Sequence, residues 1–571
     1  MGPFSWERSL DSAPQALQGA PAPLAETQHL RWHRPSREPC ESDRRDTASP
    51  VTDFSMLNAL RQSCLFLGLL ALLSCAHAHE HMGAPTSAEL GVVSFQTSCK
   101  PKVQSDFNRG VALLHSFWHE EARRAFEKVA TADPDCAMAY WGEAMASFHL
   151  YSSTPTAADL AAGQESLAKA DAASETSARE SAYIHAVHVL YEGYKPLDHL
   201  IYEQRFADAM RELASAHPRD LDASAFYALA LLASDPPDDV ALANAKTAVA
   251  ILYPLFRKHP EHPGLAHYII HACDHPQMAQ QGLEAARRYA SIAPAAPHAL
   301  HMPSHIFARL GLWSDDIRSN LASKAASERT DVGHIGAENR LHAMEFLEYA
   351  YLQRDQTTQA RAIVAEAQTI KSSETAYADY YLSVEARFPA LFAIETRDWA
   401  MAASLAPVPG AHWYSEGQTL LAHAMAAGHM NDAEAGNAAE ERFKSLLATT
   451  PLPALPVGSS SASLRDEIYA WAAFARKDAD SALGLLRPVA DRQAQTGKGE
   501  VELPAREMLA EMLLLQGRAS ESLAEYQLSL RSDPNRLSAV LGATKAAEAA
   551  GQRAVAGKYE RQMLKILSDA N

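Results

Sequence analysis

One fixed step recurs along this chain, and it limits the fold more than any other feature. "GLAHYIIHACDH" holds the pair His267/His271, and "PHALHMPSHIFARLG" holds His301/His305, 34 residues later at both members. In "FNRGVALLHSFWHEEARRAFEKVATADPD", Gly110, Ala122, Phe126 and Pro134 form a small, Ala, aromatic, Pro series. "LLLQGRASESLAEYQLSLRSDP" repeats the series with Gly517, Leu523, Tyr526 and Pro534, and "KAAEAAGQRAVAGKYERQMLKI" follows in register. "LGLWSDDIRSNLASKA" and "ETRDWAMAASL" supply further turns, with Trp313 and Trp399 as packing residues. At 571 residues the chain exceeds one ordinary compact core. Self-similar units of this length bury their apolar faces by stacking.

The offsets resemble the tetratricopeptide repeat superfamily over most of residues 103–571. The resemblance implies an all-α solenoid of helix-turn-helix units wound into a right-handed superhelix. More narrowly, "DCAMAYWGEAMA" and "PHALHMPSHIFARLGLW" resemble a group of exported bacterial tetratricopeptide proteins of unsettled function. That likeness implies a fold and a location, not a reaction. The Pro/Ser-rich "ATTPLPALPVGSSSAS" (448–463) is read as a linker between an N-terminal array, 103–447, and a C-terminal array, 464–571.

Residues 1–55 show no apolar period and are read as an over-extended or disordered start. Met56 opens a different pattern: Arg61, the short apolar run Cys64 to Cys75, then Ala76-His77-Ala78. This is the make-up of a secretory signal peptide, 56–78, too short to span a bilayer as a helix. The rival reading makes Leu72 to Cys75 a lipoprotein box with the lipid anchor at Cys75. Export to the periplasm or the medium is the expectation either way, with no transmembrane helix in the mature chain and a short segment, 79–102, before the repeats. The 51 basic against 69 acidic residues, net charge -18 and no basic cluster, argue against nucleic acid and anionic membranes as partners.

Of six cysteines, Cys99, Cys136 and Cys273 remain after cleavage at Ala78. Cys99 precedes one helical hairpin and Cys136 follows it. An antiparallel hairpin brings its ends together, so a Cys99–Cys136 disulfide suits an oxidising compartment. Two unpaired buried thiols are the other reading. Cys273 is assigned to the core.

Setting units at Pro263–Ala296 and 297–330 puts His267 and His301 fifth, and His271 and His305 ninth. Residues four apart share a helix face. The resemblance implies that the second, fifth, ninth, twelfth and thirteenth places of each first helix face the concave groove. By it His298 joins at a second place, and Asp274 and His275 at the twelfth and thirteenth. In the unit read from Leu341, His342 is second and Glu345 fifth. The expected ligands are His267, His271, His298, His301, His305 and His342, with Asp274, His275 and Glu345 as further ligands or bases. Histidine is 25 of 571 residues, so four chosen positions would all be His on the order of a few times per million. Clustered imidazoles with carboxylate suit Zn, Cu, Fe or Ni rather than Ca or Mg, and one or two ions. A metal-free polar groove, whose imidazoles would repel on protonation, and misregistered helices are the competing readings.

Other signals are weaker. His115 and His149 are also 34 apart and read either as ordinary polar residues or as a second groove feature; His185 and His188 read as ordinary polar residues. Cleavage after Ala78 would expose His79-Glu80-His81, either a Cu- or Ni-binding amino terminus or a polar tail. No His-Glu-x-x-His, Cys-x-x-Cys or Gly-x-Ser-x-Gly motif occurs, and "GQRAVAGKY" lacks the phosphate-loop spacing. Two functions follow: an exported metal-binding solenoid, open to being a metalloenzyme with no catalytic residue assigned, or a scaffold whose groove binds a protein or peptide, with Trp141 either an aromatic contact there or a core residue.

Overall fold

Glycine and aromatic positions interlock the first repeats. Phe126, on the helix His119–Ala132, is fully buried between Gly110 and Gly142 on the flanking helices Gln104–His115 and Ala137–Phe148. A Cβ at Gly110 or Gly142 would lie 2.7 or 2.5 Å from the Phe126 ring, so neither position admits even alanine without a shift. Tyr526 packs on Gly542 in the same way near the other end, where a Cβ would meet the ring at 2.2 Å. This is the physical content of the small and aromatic offsets in the sequence.

The computed structural model describes residues 89–568 apart from 152–153, 174–175, 237–238, 330–333, 372–377, 451–459 and 500. The extension 1–55, the signal peptide 56–78 with Cys75, and His79-Glu80-His81 lie outside the described residues. The described residues form an all-α stack of antiparallel helical hairpins, each first helix packing on its own partner and on the next unit. Residues 89–100 run alongside without helix; Phe95 is buried against Phe107, Trp141 and Tyr183.

Local chemistry sets the boundaries. Thr156 and Ser177 form capping boxes with Asp159 and Glu180, and Asp220, Asp432 and Asp478 cap three further helices. Pro263 and Pro297 occupy first-turn positions, where the missing N–H costs nothing. Pro303 cannot donate to a carbonyl one turn back, so it divides the next first helix into Pro297–His301 and Pro303–Leu310. The 34-residue step is local: first helices at Ala178, Leu221 and Pro263 are spaced more widely.

The expected linker does not separate two cores. Thr449 ends one helix, Ser460 begins the next, and one apolar cluster runs from Ala390 to Leu513 across the Pro/Ser-rich stretch. The C-terminal units also close back on the middle of the stack. Arg536, fully buried, donates from Nε to Glu507 at 2.8 Å and from Nη2 to Glu395 at 2.8 Å, and bonds the Tyr349 hydroxyl. Trp313 Nε1 donates to the Asn535 carbonyl at 2.8 Å. Gly311, at φ +64°, lets the 534–535 turn approach so closely that a Cβ would lie 2.1 Å from the Pro534 oxygen.

Trp141 is a correction. It is 1% exposed and sits among Phe95, Phe107, Tyr183 and Phe226, a core residue rather than a groove contact.

Candidate metal centre

Three successive first helices bring all six expected histidines together. Pro263–Cys273 carries His267 and His271; the Pro303-split helix carries His298, His301 and His305; His334–Gln353 carries His342. They fall into two sets: His267, His271 and His298, and His301, His305 and His342. Within each set one ring nitrogen per residue lies within 4.8 Å of the others. The sets adjoin, with ring centroids 6.2 Å apart for His298 and His301 and 6.5 Å for His271 and His305.

Each i, i+4 pair points Nε2 at Nε2, His267 to His271 at 3.0 Å and His301 to His305 at 3.0 Å. Their outer nitrogens decide where the protons are. His267 Nδ1 lies 2.7 Å from the carbonyl oxygen of His115, which only accepts, so Nδ1 holds the proton and Nε2 a lone pair. His305 Nδ1 donates to Asp274 Oδ2 at 2.8 Å, and Asp274 Oδ1 also accepts from Arg309 Nε at 2.9 Å. His301 Nδ1 lies 2.6 Å from Asn320 Oδ1. The Asn320 amide nitrogen is directed to Asp316, at 3.1 Å to its carbonyl and 2.8 Å to its side chain, so Oδ1 is the acceptor facing His301.

In their neutral forms His301 and His305 meet lone pair to lone pair. Only a cation between them makes 3.0 Å favourable: an extra proton, which turns one ring into an imidazolium, or a metal ion. Burial opposes the proton on His301, while His305 has the Asp274 carboxylate at 2.8 Å as a counter-charge. Burial holds His267, His298 and His301 well below the usual imidazole pKa, and repulsion from neighbouring imidazoles lowers them further. Neutral imidazole is the metal-binding form. His298 Nε2 is buried with no hydrogen-bond partner. Outer partners such as the His115 carbonyl, Asp274 and Asn320 are what a ligating histidine needs to hold its tautomer and orientation.

The three additional residues have other placements. Asp274 is the helix C-cap, and there the chain leaves the helical register; its carboxylate orients His305. His275 turns away, its ring against Gly497, where a Cβ would lie 3.2 Å from Cδ2, and burial lowers it to about 4. Glu345 pairs with Arg387 at 2.9 Å, and its nearest approach to His342 is 4.0 Å. Cys99 and Cys136 are joined as a disulfide, Cα atoms 4.8 Å apart, and Cys273 is a buried free thiol.

A cavity of about 340 Å³ opens onto both sets and is lined by His271, His298, His305 and His342. Its lining also holds Phe117, His119, His149, Tyr151, Tyr380, Glu338 and Arg387, of which the sequence reading had weighed only His149 for the groove. The His119 and His149 rings are 4.7 Å apart. The 34-residue echo of His115 and His149 was a partial signal, but His115 points into the core. There its Nε2 donates to Asp222 at 2.9 Å and its Nδ1 accepts from the Tyr268 hydroxyl at 2.9 Å. His262 reaches the same Asp222 oxygen at 3.2 Å. A larger cavity, about 810 Å³, opens on the His262 and Asp222 side of that cluster.

No family model matches the chain, and no curated protein matches it. Among solved structures, the chain is 13% identical to the APC/C hetero-tetramer Cut9-Hcn1, covering 86% of this chain and 82% of that one, with a TM-score of 0.34. It is 13% identical to the P58(IPK) TPR domain, covering 79% and 99%, with a TM-score of 0.19. Naa15/Naa10 bound to HypK-THB gives 12%, with 81% and 70% covered, and a TM-score of 0.21.

Proposed function

We propose that this chain is an exported helical-repeat metalloprotein that holds transition-metal ions, Zn, Cu or Fe, in its histidine-lined groove. His267, His271 and His298 would hold one ion and His301, His305 and His342 a second. One observation carries the reading: the buried His301 and the part-buried His305 face each other through Nε2 at 3.0 Å while their Nδ1 atoms face Asn320 and Asp274. Three imidazoles per ion leave a coordination position toward the cavity, the arrangement that Lewis-acid or hydrolytic work requires. The signal-like segment 56–78 supports export, and the likeness to exported bacterial repeat proteins agrees with it.

A second reading keeps the groove metal-free and binds a protein or peptide, and the tetratricopeptide-type fold favours it. Elemental analysis separates the two. Protein expressed from Met56 in metal-supplemented medium and then dialysed is expected to hold about two transition-metal ions per chain. If none is found after loading with zinc, copper and iron in turn, the metal reading is wrong and the scaffold reading stands.

A further inference from the structure

The aromatic residues beside the imidazoles are unusual in their backbone. Phe117, His149 and Tyr151 all sit at positive φ, +52°, +56° and +72°. A bulky residue in this region costs free energy and persists where the surroundings demand it. The result is an aromatic face. The Phe117 ring lies 4.4 Å from His267 and 5.6 Å from His298, and the Tyr151 ring lies 4.6 Å from His271. Met302 and Tyr380 continue the apolar lining, and Arg387 adds a guanidinium.

Charge points the same way. Six imidazoles around two dications contribute no negative charge. Asp274 is matched by Arg309 at 2.9 Å and Glu345 by Arg387 Nη2 at 2.9 Å, and the buried Arg387 Nε has no acceptor. Loaded with metal, the cavity would carry the ions' positive charge at its imidazoles, against one further carboxylate in its lining, Glu338, with aromatic rings beside them. At about 340 Å³ it lies near the small end of the roughly 300–1,000 Å³ usual for small-molecule sites.

We propose that this cavity binds a small carboxylate with an apolar body, its carboxylate toward the open metal positions and Arg387, its body against Phe117, Tyr151 and Tyr380. The inference rests on the metal reading above. It is tested on the full exported chain loaded with Co(II), whose visible bands report ligands entering the coordination sphere. Cobalt per chain is counted first; without bound cobalt the metal reading falls and this inference with it. With cobalt bound, benzoate is expected to shift the bands at a concentration at least tenfold lower than acetate, and inorganic phosphate to be the weakest. Arg387→Gln should weaken benzoate at least tenfold with cobalt content unchanged. Tyr151→Ala, at a 39% exposed side chain, should remove the preference of benzoate over acetate. Cobalt bands unmoved by any of the three anions, or phosphate binding tighter than benzoate, would overturn the proposal.

Discussion

Two buried histidine clusters lie one residue apart in this fold and differ in how their protons are placed. In the first, His115 and His262 both reach Asp222, and Tyr268 donates to the remaining nitrogen of His115. A carboxylate that accepts faces rings that donate, so the cluster is held by its own hydrogens. Burial lowers His115 to about 4, while the two rings hold the Asp222 carboxyl far below its ordinary value. In the second, His301 and His305 in their neutral forms turn lone pairs toward one another at 3.0 Å. The two are joined through one residue, since the His115 carbonyl anchors His267. Proximity of imidazoles alone therefore does not distinguish a structural cluster from a metal site. The commitment of the outer nitrogens does.

The largest expected effect would fall on the second cluster. His301→Ala with His305→Ala should take the metal content from about two ions per chain to one, read by elemental analysis, with the helical circular-dichroism signal retained. An unchanged ion count would remove the distinction just drawn. Asp222→Ala should do the reverse: it leaves two buried donors unpaired and costs about 3 kcal/mol of stability, read as a lowered denaturant midpoint, while the ion count stays the same. A loss of metal in that variant would show that the first cluster is also a metal site. Asp274→Asn should weaken metal affinity about 10- to 100-fold by releasing His305 from its outer carboxylate; a chelator competition series measures it. Equal affinity in this variant would mean that a neutral amide oxygen orients His305 as well as the carboxylate does.

The smallest effect lies outside both clusters and serves as a reference for pH. Glu467, buried and next to Glu502, is pushed up to about 8 from an ordinary 4.5. The folded chain holds that proton where the unfolded chain has released it, so this group lowers stability as pH rises from about 4.5 to 8. Glu467→Gln should flatten the decline of melting temperature across that interval and leave acid stability unchanged. If the decline persists in full, it originates elsewhere.

Much of the candidate site was legible because successive first helices pack side by side. Equivalent places then stack, and a 34-residue step carries His267 over His301 and His271 over His305. The same logic recruited His298 and His342. It failed where the chain leaves the helix. Asp274 and His275 occupy a C-cap and the residue after it, and their side chains go to opposite places, one to His305 and one to Gly497. Phe117 and His149 sit at positive φ in turns, where helical register no longer gives direction. Trp141 kept its place in the pattern, yet it faces Phe95, from a segment without repeat character.

By itself the sequence determined the repeating helical hairpin, through small residues set opposite aromatics, and the alignment of six imidazoles, through a shared register. Both are local rules repeated, and repetition is visible in one dimension. Tertiary structure alone decided which histidines keep their protons to themselves, because that depends on an Asp222, an Asn320 or a carbonyl delivered from another helix. It also decided that the C-terminal units close onto the middle ones, because the buried charge of Arg536 needs Glu395 and Glu507 together, and only the folded stack brings those two helices to one point.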